Sequence, residues 1–339
     1  SRKHIEKYYN TSDIGKFPQR LPPISLRPCL TDLSGEINYN DIYNLLMELN
    51  LSIYTPSNFI MPSRLAKYID EDKHKRNMTQ QGREEGIRRL MSINLLKRLE
   101  SSVYSFRLTV DRIKKLIDDT IAAIKKYKSG ECVLNLTEIS GTEDFDYDDQ
   151  NTDVFSVGKK VKINLADMDY VSWMAGLSKD AENLELLSLM IADITPEHDT
   201  KLQTLFGLIK SKIENPINPG NKKIIIFTAF SDTADYLYDN VSKFAKEKFV
   251  LETAEITGTV DGKATIPRLR AELNTVLTCF SPISKGRDVL FPDSRDELDI
   301  LIATDCISEG QNLQDCDYLI NYDIHWNPVR IIQRFGRID

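Results

Sequence analysis

Gln333-Arg334-Phe335-Gly336-Arg337 sets two guanidinium groups three residues apart beside a side-chain amide. Guanidinium groups at such spacing suit the stabilisation of a transferring phosphoryl group, so nucleotide hydrolysis is the expected chemistry. A second cluster, 302–313, ends a hydrophobic run and then offers Thr304, Asp305, Glu309, Gly310 and Asn312 within nine residues, enough for one loop to touch two ligands. The glycine-rich loop that would hold the nucleotide's phosphates, G-x-x-x-x-G-K-[ST], is missing from the sequence. The nearest approach, 258–264, has its glycines one position too close, and Ala264 lacks the hydroxyl for Mg²⁺. Asp323 ends a hydrophobic run as a metal-holding aspartate would, but has no phosphate loop ahead of it. The chain reads as half of an ATPase.

Each of these residues also has a plain structural reading. Arginines near a chain end are usually solvated, Thr304 can simply end a strand, and Asp305 can be a turn residue. Gly310 can be a turn glycine, Asn312 a loop amide, and Gln333 a surface side chain. Trp326-Asn327-Pro328 reads as a structural anchor, with Pro328 opening the last helix. Phe230, after the strand-ending Thr228, reads as core.

These residues need elements to position them. After residue 199, short β-rich runs alternate with helical patterns, which predicts a parallel sheet covered by helices. Strands are expected at 223–228, 254–257, 298–304 and 317–323. Ser231 is placed to cap a helix running to about 246, and Pro267 to open another whose Leu269, Leu273, Val276, Leu277 and Phe280 share one face. Ligands of such sheets gather at the carboxyl ends of the strands, where the clusters above fall. Upstream, Val103, Phe106, Val110, Ile113, Ile117, Ile121 and Ile124 recur at steps of about three and four, which predicts one long helix from Leu99 with an apolar stripe. The run 178–194, with Leu184, Leu187, Met190 and Ile191, is its expected partner. Between the two, Glu143, Asp144, Asp146, Asp148 and Asp149 mark an exposed acidic insertion. The first eighty residues are rich in proline and predict an extended linker, with one helix near 41–50. The domains are thus 1–85 linker, 86–198 helical protrusion with its acidic insertion, and 199–339 α/β lobe.

Composition sets wider bounds. At 339 residues the chain can bury about two cores. No apolar run reaches the ~20 residues that span a bilayer, and no secretory leader is expected. Five scattered cysteines and four dispersed histidines lack metal-site spacing, and a reducing cytoplasm is the expected compartment. A net charge of -7 argues against a protein coated in positive charge, although a local groove can still be basic.

Taken in order and spacing, A-T-D-x-x-x-E-G-x-N-L-Q from Ala303, then Trp326-Asn327-Pro328, then Gln333-Arg334-x-Gly336-Arg337-Ile338-Asp339 resemble motifs V and VI of superfamily-2 helicases, particularly the Swi/Snf-like ATPases of bacteria. The 224–230 run is similar to motif IV, and Ile256-Thr257-Gly258 to the motif that follows it. The resemblance covers 199–339 and implies the second RecA-like lobe. More loosely, Leu96-Lys97-Arg98-Leu99-Glu100-Ser101-Ser102 resembles the segment that leads into the helical protrusions of that group, and Phe17-Pro18-Gln19-Arg20 its exit from the first lobe. The first lobe, with the phosphate loop, would then precede this chain.

By this resemblance Arg337 is the arginine finger, with Gln333 near the γ-phosphate and Arg334 supporting the loop or the nucleotide. Gly310 and Asn312, with Glu309, would meet the ribose side, while Thr304, Asp305, Thr228 and Gly258 would face nucleic acid. The family pattern carries one more arginine, which would lie one position beyond Asp339. ATP and Mg²⁺, held mainly by the first lobe, are the implied cofactors and duplex DNA the implied partner. The chain alone is expected not to hydrolyse ATP. An RNA helicase lobe and a non-catalytic docking module remain alternatives.

Overall fold

The computed structural model describes residues 21–33, 38–68, 80–128, 163–258, 262–293, 295–307, 311–325 and 327–338. Two bodies of hydrophobic packing follow each other along the chain.

The first is helical. Helix α1 (Tyr39–Met47) begins at Asn38, whose side chain accepts from the Asp41 amide as an N-cap. Helices α2 (Gln80–Ser101) and α3 (Val103–Lys128) meet at Ser102, so the long helix expected from Leu99 is broken there. The Ser102 hydroxyl accepts from the Ser105 amide and caps the new helix. The predicted stripe of α3 is buried from Val103 to Ile124, with Ile121 partly so. Helix α4 (Tyr170–Ile191) packs along it through Leu177, Leu184, Leu187 and Ile191. Ile42, Leu46, Leu49, Leu51 and Ile60 join the same core, so residues 39–68 pack against the arm rather than run as an extended path. Trp173 anchors this region, fully buried, donating from its indole nitrogen to the Ser52 carbonyl at 3.0 Å. The acidic insertion and Phe17-Pro18-Gln19-Arg20 lie outside the described residues.

The second body is an α/β lobe. After α5 (Thr200–Glu214) come β1 (Ile224–Phe227), α6 (Ser231–Phe249), β2 (Thr253–Ile256), β3 (Lys263–Ala264), α7 (Leu273–Phe280), the short α8 (Arg287–Leu290), β4 (Ile300–Ala303), β5 (Leu319–Asn321) and α9 (Pro328–Phe335). The sheet order is β3-β2-β4-β1-β5, parallel except for β3. This is the parallel sheet covered by helices that the pattern predicts, with β3 as one antiparallel edge strand. Ile224 and Ile226 face α5 and α6, while Ile225 and Phe227 face α7. Burial on both faces explains why the strands are continuous hydrophobic runs rather than alternating ones.

Local departures have local causes. Helix α7 starts at Leu273 rather than at Pro267, because 265–272 is turn structure in which Arg268 adopts a φ of 67°. Ser231 is the first residue of α6 and Phe230 occupies the N-cap position. Gly262 is required: an added Cβ would lie 2.6 Å from the carbonyl oxygens of Ala271 and Glu255. Among the described residues no helix is long and apolar enough to cross a membrane.

Candidate functional site

The parallel strands end together. Ile256 pairs with Ala303, and Ala303 with Phe227, so the next residues, Thr257, Thr304 and Thr228, emerge side by side at the carboxyl edge. The Thr304 amide donates to the Ile256 carbonyl and the Thr228 amide to that of Ala303, both at 3.1 Å. Gly258 lies exposed one residue beyond Thr257.

The two buried threonines differ in what their hydroxyls do. Thr228 donates to Asp323 Oδ2 at 2.6 Å, so its hydroxyl is occupied inside the protein. Thr304 Oγ1 is buried with no hydrogen-bond partner among the described residues. Such a group is costly unless something supplies a partner.

Asp323 is no vacant metal ligand. Its carboxylate accepts from the Thr228 and Ser101 hydroxyls, each at 2.6 Å, and from the Ala229 amide at 2.9 Å. Lys263, the lysine of the near-miss phosphate loop, is likewise engaged. It pairs with Asp235 and lies 3.1 Å from Glu255, and burial with the neighbouring Asp235 pushes the Glu255 carboxyl up to about 7.

Helix α9 resolves the arginine pair. Asn327 caps it through the Val329 amide, and Pro328 occupies its first position, as its fixed φ allows. Arg334 points inward and has no exposed surface. Its Nε and Nη2 grip both oxygens of Asp305 at 2.7 and 3.1 Å, and Nη1 donates to Asn321 at 3.0 Å and, at 3.4 Å, to the Asp323 carbonyl. The guanidinium carbon stands 5.3 Å from the centre of the Phe227 ring. Arg334 is therefore placed to fix α9 against the strand ends, and Asp305 to receive it. Neither presents its charged group to a ligand in this arrangement.

Arg337 lies one turn further on and is half-buried at the edge. Its Nη1 donates to the Gln311 carbonyl at 3.3 Å, and its own carbonyl accepts from the Leu313 amide at 2.9 Å. Gln333 Oε1 is buried with no hydrogen-bond partner among the described residues. Asn312 is exposed, its side chain accepting from the Gln314 amide at 3.2 Å. Glu309, Gly310 and Trp326 fall outside the described residues.

One support of this loop carries no sequence signal. Lys285 Nζ donates to Gln311 Oε1 at 2.6 Å. Asp315 accepts from the amides of Ile283 and Ser284 at 2.6 and 2.9 Å, and from the Ser284 hydroxyl. Burial opposes ionisation of Asp315, yet these bonds leave its pKa lowered. The segment 281–286 thus clamps the loop on which Arg337 rests.

Residues 201–339 match the family described as Helicase conserved C-terminal domain. The Bacillus subtilis protein named Uncharacterized ATP-dependent helicase YqhH is 30% identical over 120 residues, 32% of this chain and 22% of that protein. The Schizosaccharomyces pombe protein named ATP-dependent RNA helicase dbp7 is 28% identical over 151 residues, 40% of this chain and 20% of that one. The matched stretches therefore span well under half of these relatives. Among solved structures, the helicase domain of Pyrococcus furiosus Hef aligns over 88% of this chain and 49% of its own, at 16% identity and a TM-score of 0.38.

Proposed function

We propose, from the premise that residues 201–339 are a helicase C-terminal domain, that this lobe completes the hydrolytic site of an ATP-driven nucleic-acid motor and lends it Arg337 as the arginine finger. The observation that carries the reading is the division of labour between Arg334, in the last turn of α9, and Arg337, two residues past its end. Arg334 is locked under the strand ends, whereas Arg337 is only partly buried and lies against the 311–313 loop.

The residues fit a nucleotide's phosphate end in kind. A partly buried guanidinium suits developing negative charge, and Gln333 Oε1, which has no hydrogen-bond partner among the described residues, is an acceptor suited to orienting an attacking water. Mg²⁺ bound with ATP, mainly on a first lobe outside this chain, would neutralise the phosphate oxygens. Arg334 contributes by holding α9 in place, so that Arg337 needs no rearrangement of its own when the two lobes close. Asn312, and Glu309 with Gly310 in the same loop, are assigned to the ribose side.

The nucleic-acid grip is assigned to Thr304 and to the Gly258 backbone. Among the described residues the Thr304 hydroxyl lacks a partner, which a phosphate oxygen would supply once the edge opens. Thr228 and Asp305 take supporting roles, because Asp323 and Arg334 already occupy their side chains. Duplex DNA is the proposed track, from the Swi/Snf-like motif pattern. RNA is the second reading, favoured by the printed name of the fission-yeast relative.

In the two-lobed protein, Arg337→Ala should lower nucleic-acid-stimulated ATP turnover by about 10³-fold. Unchanged turnover would remove the finger assignment. Stimulation by duplex DNA, single strands and structured RNA, measured side by side, separates the two tracks.

A further inference from the structure

The segment Leu96-Lys97-Arg98-Leu99-Glu100-Ser101-Ser102 has no place in the nucleotide site, yet the side chains of Arg98, Ser101 and Ser102 reach into the lobe. Arg98, 2% exposed, donates to Asp232 at 2.7 Å in the first turn of α6 and to Ser105 at 2.9 Å, with its guanidinium 4.7 Å from the Phe230 ring centre. Ser101 and Ser102 both meet the Thr233 hydroxyl, at 2.8 and 3.0 Å. The last carbonyls of α2, those of Glu100 and Ser101, accept from Lys201 Nζ at 2.7 and 2.8 Å. That amine sits 4.2 Å from the Tyr322 ring centre, and its burial pushes the pKa down.

Ser101 also donates to Asp323, 222 residues away, whose carboxylate holds Thr228 and the Ala229 amide. The Asp323 backbone carbonyl in turn accepts from Arg334. An unbroken chain of buried contacts therefore runs from the α2–α3 corner through Ser101 and Asp323 to Arg334 in the last turn of α9, and Arg337 follows two residues past the end of that helix. Ser101, Thr228 and Arg334 have no exposed surface, so water does not compete for these bonds.

We propose that Ser101 is a positioning residue, and that the Ser101–Asp323 bond makes the α2–α3 arm a rigid lever on the arginine helix. A load applied at the arm would then change the placement of Arg337. The catalytic part of this proposal rests on the reading of Arg337 given above, whereas the mechanical part does not.

Two measurements test it. In the chain 1–339, a double-mutant cycle of Ser101→Ala with Arg334→Lys should be non-additive by at least about three-fold in the unfolding constant, as for residues sharing one network. A control cycle of Ser101→Ala with Thr265→Ala, just past β3 at the far edge of the sheet, should be additive. Additivity in both cycles would overturn the proposal. In the two-lobed protein, Ser101→Ala should lower the ATPase kcat about ten-fold, with the KM for ATP unchanged within about two-fold. A rise in KM without loss of kcat, or no change in either, would overturn the lever. If Arg337→Ala leaves turnover intact, the finger assignment fails and the stability cycle alone decides the coupling.

Discussion

Replacing Arg334 by alanine removes a guanidinium with no exposed surface and leaves Asp305, whose side chain is 15% exposed, without its partner. Four hydrogen bonds are lost, to Asp305 twice, to Asn321 and to the Asp323 carbonyl. Adding them at charge-assisted values would overshoot, because they form as one network and their loss is not additive. The relevant comparison is a buried ion pair broken from one side, which costs about 3–5 kcal/mol. Partial solvation of Asp305 favours the lower end, so we expect about 3 kcal/mol, roughly a hundred-fold in the unfolding constant. Urea unfolding of the chain followed by far-UV circular dichroism reads the change. Hydrogen exchange at the β4 amides assigns it to the lobe, since the arm has a core of its own. Arg337→Ala is the comparison variant, because that side chain is only partly buried and its Nη1 bond to the Gln311 carbonyl is 3.3 Å long, so its loss should cost about 1 kcal/mol. A loss below about 1 kcal/mol for Arg334→Ala, or equal losses for both variants, would refute the division of roles between the two arginines.

Glu255, its pKa raised to about 7, binds its proton more tightly folded than unfolded, so its contribution to stability is complete below about pH 4 and is lost as pH rises through 7. Glu255→Gln should therefore flatten the decline of stability between pH 5 and 8, and an unchanged slope in pH-dependent denaturation would contradict the assignment. Gly262→Ala should destabilise by about 1–3 kcal/mol, because the new methyl meets two backbone oxygens that cannot move aside; a neutral effect in thermal melts would show that this approach relaxes. Lys285→Ala should loosen the loop bearing Gln311 and speed exchange of the Leu313 amide, with a cost to global stability of only about 1 kcal/mol.

Much of this protein is legible in local pattern. Strands β1 and β4 are short isoleucine-rich runs whose length and composition favour a buried strand, and the stripe from Val103 to Ile124 specifies an amphipathic helix whatever it packs against. Pro328 after Asn327 fixes the start of α9 for reasons internal to three residues. The spacing of the motifs, equally local, marks both arginines for phosphoryl chemistry, and the family resemblance alone makes Arg337 the finger and Arg334 a support of the loop or the nucleotide.

What separated those arginines is a property of neither. One helical turn directs Arg334 under Phe227 and onto Asp305, 29 residues earlier in the chain, and leaves Arg337 at the rim. The same holds for Thr228 and Thr304, adjacent on neighbouring strands, of which only one meets Asp323. Ser101 reaches that carboxylate across 222 residues. Periodicity encodes which face of an element avoids water, and so can be read from the chain. Which buried polar group meets which partner depends on where distant elements dock, and only the assembled structure decides that.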